Sequence, residues 1–167
     1  VMMQFGRIDI LVNNHNLQFG KPFLEMSDEE WRHVLEANLT AVFRCLKAVG
    51  RHMVKQKSGK IINIVSGSGE RGLPNGAAYC SSMGGVIQLT RALALEWAGK
   101  NVRVNAIGIG WMENFIQEGQ MDPISSYIPM RRRSTPEDIA PLLVFLASEA
   151  SSYMTGHVYF VDGGGMW

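Results

Sequence analysis

Ser66 and Tyr79, two hydroxyls thirteen residues apart, are side chains of types that can hold an oxygen and exchange its proton. A phenol does acid–base work only as far as its surroundings shift its pKa. Unperturbed it titrates near 10, so about one molecule in a thousand is phenolate at pH 7. A cation close by would favour the phenolate. One helical turn beyond Tyr79 stands Met83, which carries no charge. Lys47, Lys60 and Arg71 are the cations left to take its part, and sequence alone sets none of them beside Tyr79. Other polar candidates are Asn38, in a segment patterned as a helix, and the run Asn13-Asn14-His15. Asn38 reads either as part of a site or as an amide bonding backbone at a helix irregularity, and His15 reads as a polar loop residue rather than a new base. Cys45 and Cys80 have no Cys-x-x-Cys or histidine spacing, so no metal site is expected.

These residues need elements to position them. Ile8 to Val12 is an apolar run that reads as a strand covered on both faces of a parallel sheet. Ser27-Asp28-Glu29-Glu30 has the form of a capping box. From it a long amphipathic helix is expected through about Met53, with Trp31, Val34, Leu35, Val42, Leu46 and Val49 on one stripe. Ile61 to Val65 is the next buried strand. Ala77 to about Ala98 is a helix with Tyr79 in its first turn and Val86, Leu89, Leu93 and Trp97 along one side. Val102 to Ile107 is a third strand, and Gly108 to Ser134 reads as an irregular loop over a site. In that loop, Trp111, Met112, Phe115, Met121, Tyr127 and Met130 would line an apolar pocket or pack on one another. Arg131-Arg132-Arg133 reads as a solvated stretch before the last helix, which Thr135 caps and Pro136 opens. His157 to Val161 closes the sheet. Alternating strands and helices give an α/β fold in one domain spanning residues 1–167.

Composition narrows the function further. Sixteen basic and fifteen acidic residues leave a net charge of +1, which favours neither nucleic acid nor an anionic membrane. No apolar run approaches the roughly 20 residues that span a bilayer. Both cysteines are expected to be reduced, which suits a cytoplasmic protein.

The motifs resemble those of the short-chain dehydrogenase/reductase family. The stretch Ser66 to Met83 resembles its active-site segment, Asp9 to Asn14 its fourth strand, and Ala37-Asn38-Leu39-Thr40 the helix segment with its catalytic Asn. Gly59 to Ser66, Val102 to Ile107 and Thr155 to Gly164 resemble its later strands. The sugar-acid and 3-ketoacyl reductase branches look nearest. The resemblance implies a Rossmann-like parallel sheet flanked by helices, here lacking the family's first three strands. It also implies NAD(P)(H)-dependent oxidoreduction of a small carbonyl or alcohol. In that chemistry Tyr79 would exchange the proton, Ser66 would bond the substrate oxygen, and Asn38 would organise the water chain that replenishes the proton. The family's lysine, which activates the tyrosine and binds the nicotinamide ribose, is replaced by Met83. Family tetramers use the two long helices as one interface and the last helix and strand as another, so a homo-oligomer, dimer or tetramer, is implied.

Several departures gather on the wall that would face the dinucleotide. The family's Asn-Asn-Ala-Gly turn is Asn13-Asn14-His15-Asn16 here, its Pro-Gly is Ile109-Gly110, and a frequent Thr is Asn114. The Gly-rich turn that cradles the pyrophosphate is not matched, and the chain opens on Val1. Either an upstream half has been removed or translation starts there. Asn13, Asn14, His15 and Gly110 are therefore read as a vestigial cofactor wall, with no dinucleotide expected to bind. The expectation is an oxidoreductase by descent with impaired catalysis. One alternative is a non-catalytic scaffold or oligomerisation protein. A cofactor-free dehalogenase-like reaction would need Arg in place of Met83.

Overall fold

The computed structural model describes residues 1–113 and 122–165. A short helix α1 (Met2–Phe5) leads into β1 (Ile10–Asn13), followed by α2 (Asp28–Leu35) and, after a π-helical turn over Glu36–Thr40, α3 (Ala41–Gln56). Then come β2 (Gly59–Ser66), α4 (Ala77–Trp97), β3 (Val102–Ile109), α5 (Pro136–Ala147) and β4 (Val158–Val161). The four strands pair in chain order, all parallel. Such pairing needs a crossover between strands, and α2–α3, α4 and α5 supply the three.

The sheet separates two apolar layers. Because strand side chains alternate between faces, Ile61, Val65, Val102, Val104 and Ala106 point to one side. There they pack with Val42, Leu46 and Met53 of α3 and with Tyr79, Met83, Val86 and Ile87 of α4. Ile62, Ile64 and Ile107 face the other way, onto Ile139 and Leu146 of α5. The expected box at the start of α2 is present: the Ser27 N–H donates to Glu30 Oε2 at 2.8 Å, and the Glu30 N–H donates to Ser27 Oγ at 3.2 Å.

Four readings are corrected. β1 starts at Ile10 rather than Ile8 and is covered on one face only: Leu11 packs toward α3, while Ile10 and Val12 are 47% and 37% exposed. Its edge position is the one expected of a sheet without the family's first three strands, and among the described residues no helix covers its other face. The long helix reaches Gln56 but is interrupted by the π turn. Gly108 and Ile109 belong to β3, held by pairing with Phe160 and Val161 of β4. The arginine triplet is not uniformly solvated. Arg133 is 7% exposed and forks onto Asp122, with Nε and Nη2 donating at 2.9 and 2.6 Å, and Arg132 pairs with Asp138 at 2.6 Å. A sequence pattern of like charges hides such pairing because Asp122 is eleven residues away.

Candidate active site

The carboxyl ends of the strands are where ligands bind in sheets of this kind, and the candidate residues meet there. Ser66 is the last residue of β2 and caps the short 3-10 turn Gly67–Gly69. Its Oγ donates to Ser68 Oγ at 3.0 Å and accepts from the Ser68 N–H at 3.1 Å. Tyr79 rises from the first turn of α4 and is 7% exposed. Burial pushes its phenol above the ordinary value. Hydrogen bonding toward Ser66 pulls the other way, the neighbouring Cys80 pushes it up further, and Gln18 pulls it down; the sum is a raised pKa. Ser66, paired with Tyr79 on the sequence, lies near enough to influence the phenol, and so does Gln18, which no motif marks and sequence reasoning did not find.

Asn38 occupies the π turn and is completely buried. π turns inside helices recur at functional sites because the extra residue re-aims a side chain. Here the Asn38 Oδ1 accepts from the Leu17 N–H at 2.6 Å, and its Nδ2 donates to the Leu17 carbonyl at 3.0 Å and to Ser82 Oγ at 2.9 Å. Ser82 in turn donates to the Tyr79 carbonyl at 2.7 Å. Asn38 thus ties the loop after β1 to the helix that carries Tyr79. The helix-irregularity reading was right about the backbone partner. Ser82 was missed, although its place three residues after Tyr79, on the same helix face, was the available signal.

The residues that the resemblance sets on a cofactor wall divide. Asn13 is 5% exposed and donates through Nδ2 to Asn63 Oδ1 at 2.8 Å; Asn63 donates to Thr90 Oγ1 at 2.8 Å. This amide ladder joins β1, β2 and α4. Asn14 is exposed, and His15 donates through Nε2 to the Ala37 carbonyl at 2.6 Å, a loop tie to the π turn as expected of a polar loop residue. Gly110 lies against Asp162, where a Cβ would come within 2.8 Å of the Asp162 Cα. It serves contact with the Asp162-Gly163 turn. Of the loop candidates, Trp111, Tyr127 and Met130 are exposed, while Asn114, Phe115 and Met121 lie outside the described residues.

Met83 is 2% exposed and packs within the cluster that contains Tyr79, Val86 and Ile87. None of the cations considered as substitutes is seen to take its place. Lys60, the second residue of β2, is six residues before Ser66, about 20 Å away along the strand. The Lys47 ammonium lies 5.5 Å from the Phe43 ring, and Arg71 is exposed in the turn before α4. A dinucleotide ribose would meet a thioether here, which donates no hydrogen bond. The residues present therefore do not fit that part of a nicotinamide site. No cluster of metal ligands occurs among the described residues, and no described helix is long and apolar enough to cross a membrane.

The family model described as enoyl-(acyl carrier protein) reductase matches residues 1–165. The 3-oxoacyl-[acyl-carrier-protein] reductase of Synechocystis is 43% identical over 163 residues, covering 96% of this chain and 66% of that protein. The 5-keto-D-gluconate 5-reductase of Escherichia coli is 39% identical, covering 95% and 65%. Among solved structures, acetoin dehydrogenase from Enterobacter cloacae superposes with a TM-score of 0.91 at 33% identity, over 99% of this chain and 67% of its own. The fold and these likenesses define an α/β oxidoreductase class. The chain belongs to the short-chain dehydrogenase/reductase family. It spans about two thirds of the length of these relatives, consistent with a sheet that lacks the family's first three strands.

Proposed function

We propose that this chain descends from NAD(P)(H)-dependent enzymes that interconvert small carbonyls and alcohols, and that its own catalysis is impaired at Met83. The observation that carries this reading is the buried thioether of Met83 one turn after Tyr79, where the family has an ammonium. The family's chemistry moves a hydride on the dinucleotide; the part left to the protein is to hold the substrate oxygen and exchange its proton. Ser66 Oγ and the Tyr79 phenol are arranged for the first task. For the second the phenol is poorly set, since its pKa is raised rather than lowered. General acid–base catalysis contributes about 10²–10⁴ in rate, and most of that is forfeited.

Similarity to a 3-oxoacyl reductase, a keto-sugar-acid reductase and an acetoin dehydrogenase points to a small ketone or secondary alcohol as the ancestral substrate class. Titration of NADH and NADPH into the chain, read by nicotinamide fluorescence and followed by turnover assays on those three substrate types, tests the proposal. The expected result is no saturable binding in the micromolar range and no turnover. A micromolar dissociation constant with measurable reduction would overturn it.

A second reading, an association role, rests on an apolar groove between α3 and α4 lined by Leu39, Phe43, Gly85, Leu89 and Ala92. Phe43 and Leu95 are 46% and 84% exposed on these two helices. An apolar surface of this kind on paired helices suits a second copy of the chain. The association role is compatible with impaired catalysis.

A further inference from the structure

At the opposite end of the sheet, where the strands begin, a pocket of about 210 Å³ opens among Arg7, Asp9, Lys60, Arg103, Glu149 and Ser152. Lys60 is 8% exposed, and its Nζ has no hydrogen-bond partner among the described residues. An ion taken out of water without a partner is unfavourable, so buried charges are normally paired or hold another ion. The neighbours do not relieve it. Arg7 is matched with Asp9, its Nε donating to both carboxylate oxygens at 2.9 and 3.0 Å. Arg103 lies directly across from Lys60 in the β2–β3 register, so the two cations share one face of the sheet. Like charges placed opposite one another on adjacent strands repel. Among the described residues Arg103 donates only to neutral acceptors: the Ser152 carbonyl at 2.5 Å, the Ala98 carbonyl at 3.3 Å and Asn101 Oδ1 at 3.1 Å. Glu149, the remaining carboxylate, is exposed. With Arg7 and Asp9 cancelling, Lys60, Arg103 and Glu149 leave one positive charge in excess.

We propose that this pocket binds a phosphate-sized oxyanion, either inorganic phosphate or the phosphate of a small monoester, between the Lys60 ammonium and the Arg103 guanidinium. The volume equals roughly seven waters, enough for a tetrahedral anion and part of its hydration. The flexible lysine stem lets Nζ turn into the pocket when the anion arrives. Arg103 retains N–H groups beyond those used on carbonyls, because a guanidinium has five. The site is separate from the Ser66–Tyr79 edge and is independent of whether catalysis survives.

The test is a titration of inorganic phosphate, and separately of glycerol phosphate, into the full chain at ionic strength held constant with chloride. Thermal midpoint and phosphorus line width are the readouts. A saturable stabilisation at millimolar phosphate or below is expected, weakened at least tenfold in Lys60→Met and in Arg103→Gln, and strengthened in Glu149→Gln. Without phosphate, Lys60→Met should melt no lower than the parent, since it removes an unpartnered buried charge. Lys60→Arg keeps the charge and should retain the response, which separates loss of the site from loss of the fold. Stabilisation by the monoester as well as by the free ion assigns the site to phosphorylated metabolites, and by phosphate alone to the free ion. A phosphate response no larger than that of chloride, or one unchanged in Lys60→Met, would overturn the proposal.

Discussion

Acid–base use of Tyr79 requires a phenol that loses its proton more easily than free tyrosine, whereas burial drives it the other way and Met83 supplies no opposing charge. Met83→Lys should lower the Tyr79 pKa by a unit or more, read as the ultraviolet titration that disappears when Tyr79→Phe is added. The same substitution puts an ammonium where only 2% of the residue is exposed, so the thermal midpoint should fall as well. The raised pKa has a consequence for alkaline stability. A folded pKa above the unfolded one means that Tyr79 contributes stability that is complete below about pH 10 and is lost as pH rises through the folded value. Tyr79→Phe should therefore flatten the loss of stability above pH 10 in urea unfolding. At acid pH the sign reverses. Arg133 holds the Asp122 carboxyl well below the usual carboxylate range, so that pair stabilises above about pH 4 and weakens as pH falls through the depressed value. Arg133→Gln should remove that part of the acid dependence.

The π turn of Glu36–Thr40 joins α2 to α3 and points Asn38 inward, where it satisfies the Leu17 amide and carbonyl and reaches Ser82. Asn38→Ala strands these buried groups and should cost about 3 kcal/mol or more in chemical denaturation. Ser27→Ala, which removes one half of the α2 capping box, should cost about 1 kcal/mol. The elements that the sequence disclosed best are those with strong local signals: the Ser27 and Thr135 caps, the continuous apolar strands Ile61 to Val65 and Val102 to Ile107, and Tyr79 in the first turn of α4. What it concealed depends on contacts between distant segments. The burial of Arg133 needs Asp122, the hold on Asn38 needs Leu17 and Ser82, and the open face of Ile10 and Val12 depends on what stands above β1 rather than on β1 itself. Resemblance named Ser66, Tyr79 and Asn38. It did not carry their hydrogen bonds, and Asn38 spends its amide on the Leu17 loop.

At the scale of the molecule, Phe43 in the α3–α4 groove, Leu95 on α4, and Ile10 and Val12 on β1 are exposed apolar side chains, alongside others on α1, α5 and the loops. Sedimentation at micromolar concentration should show a species heavier than the 18.5 kDa chain. Phe43→Glu, which puts a carboxylate into that groove, should shift it toward monomer while leaving the fold intact. The proposed loss of Tyr79 activation can be read in any assembly state of the chain. Carbon-13 labelling of tyrosine Cζ, with Tyr79→Phe to assign the resonance, follows the Tyr79 ionisation directly by nuclear magnetic resonance, without cofactor or substrate. A midpoint above 10 is expected from the burial of the phenol; a midpoint near 7 would mean that a positive charge activates Tyr79 despite Met83, and would overturn the proposed impairment.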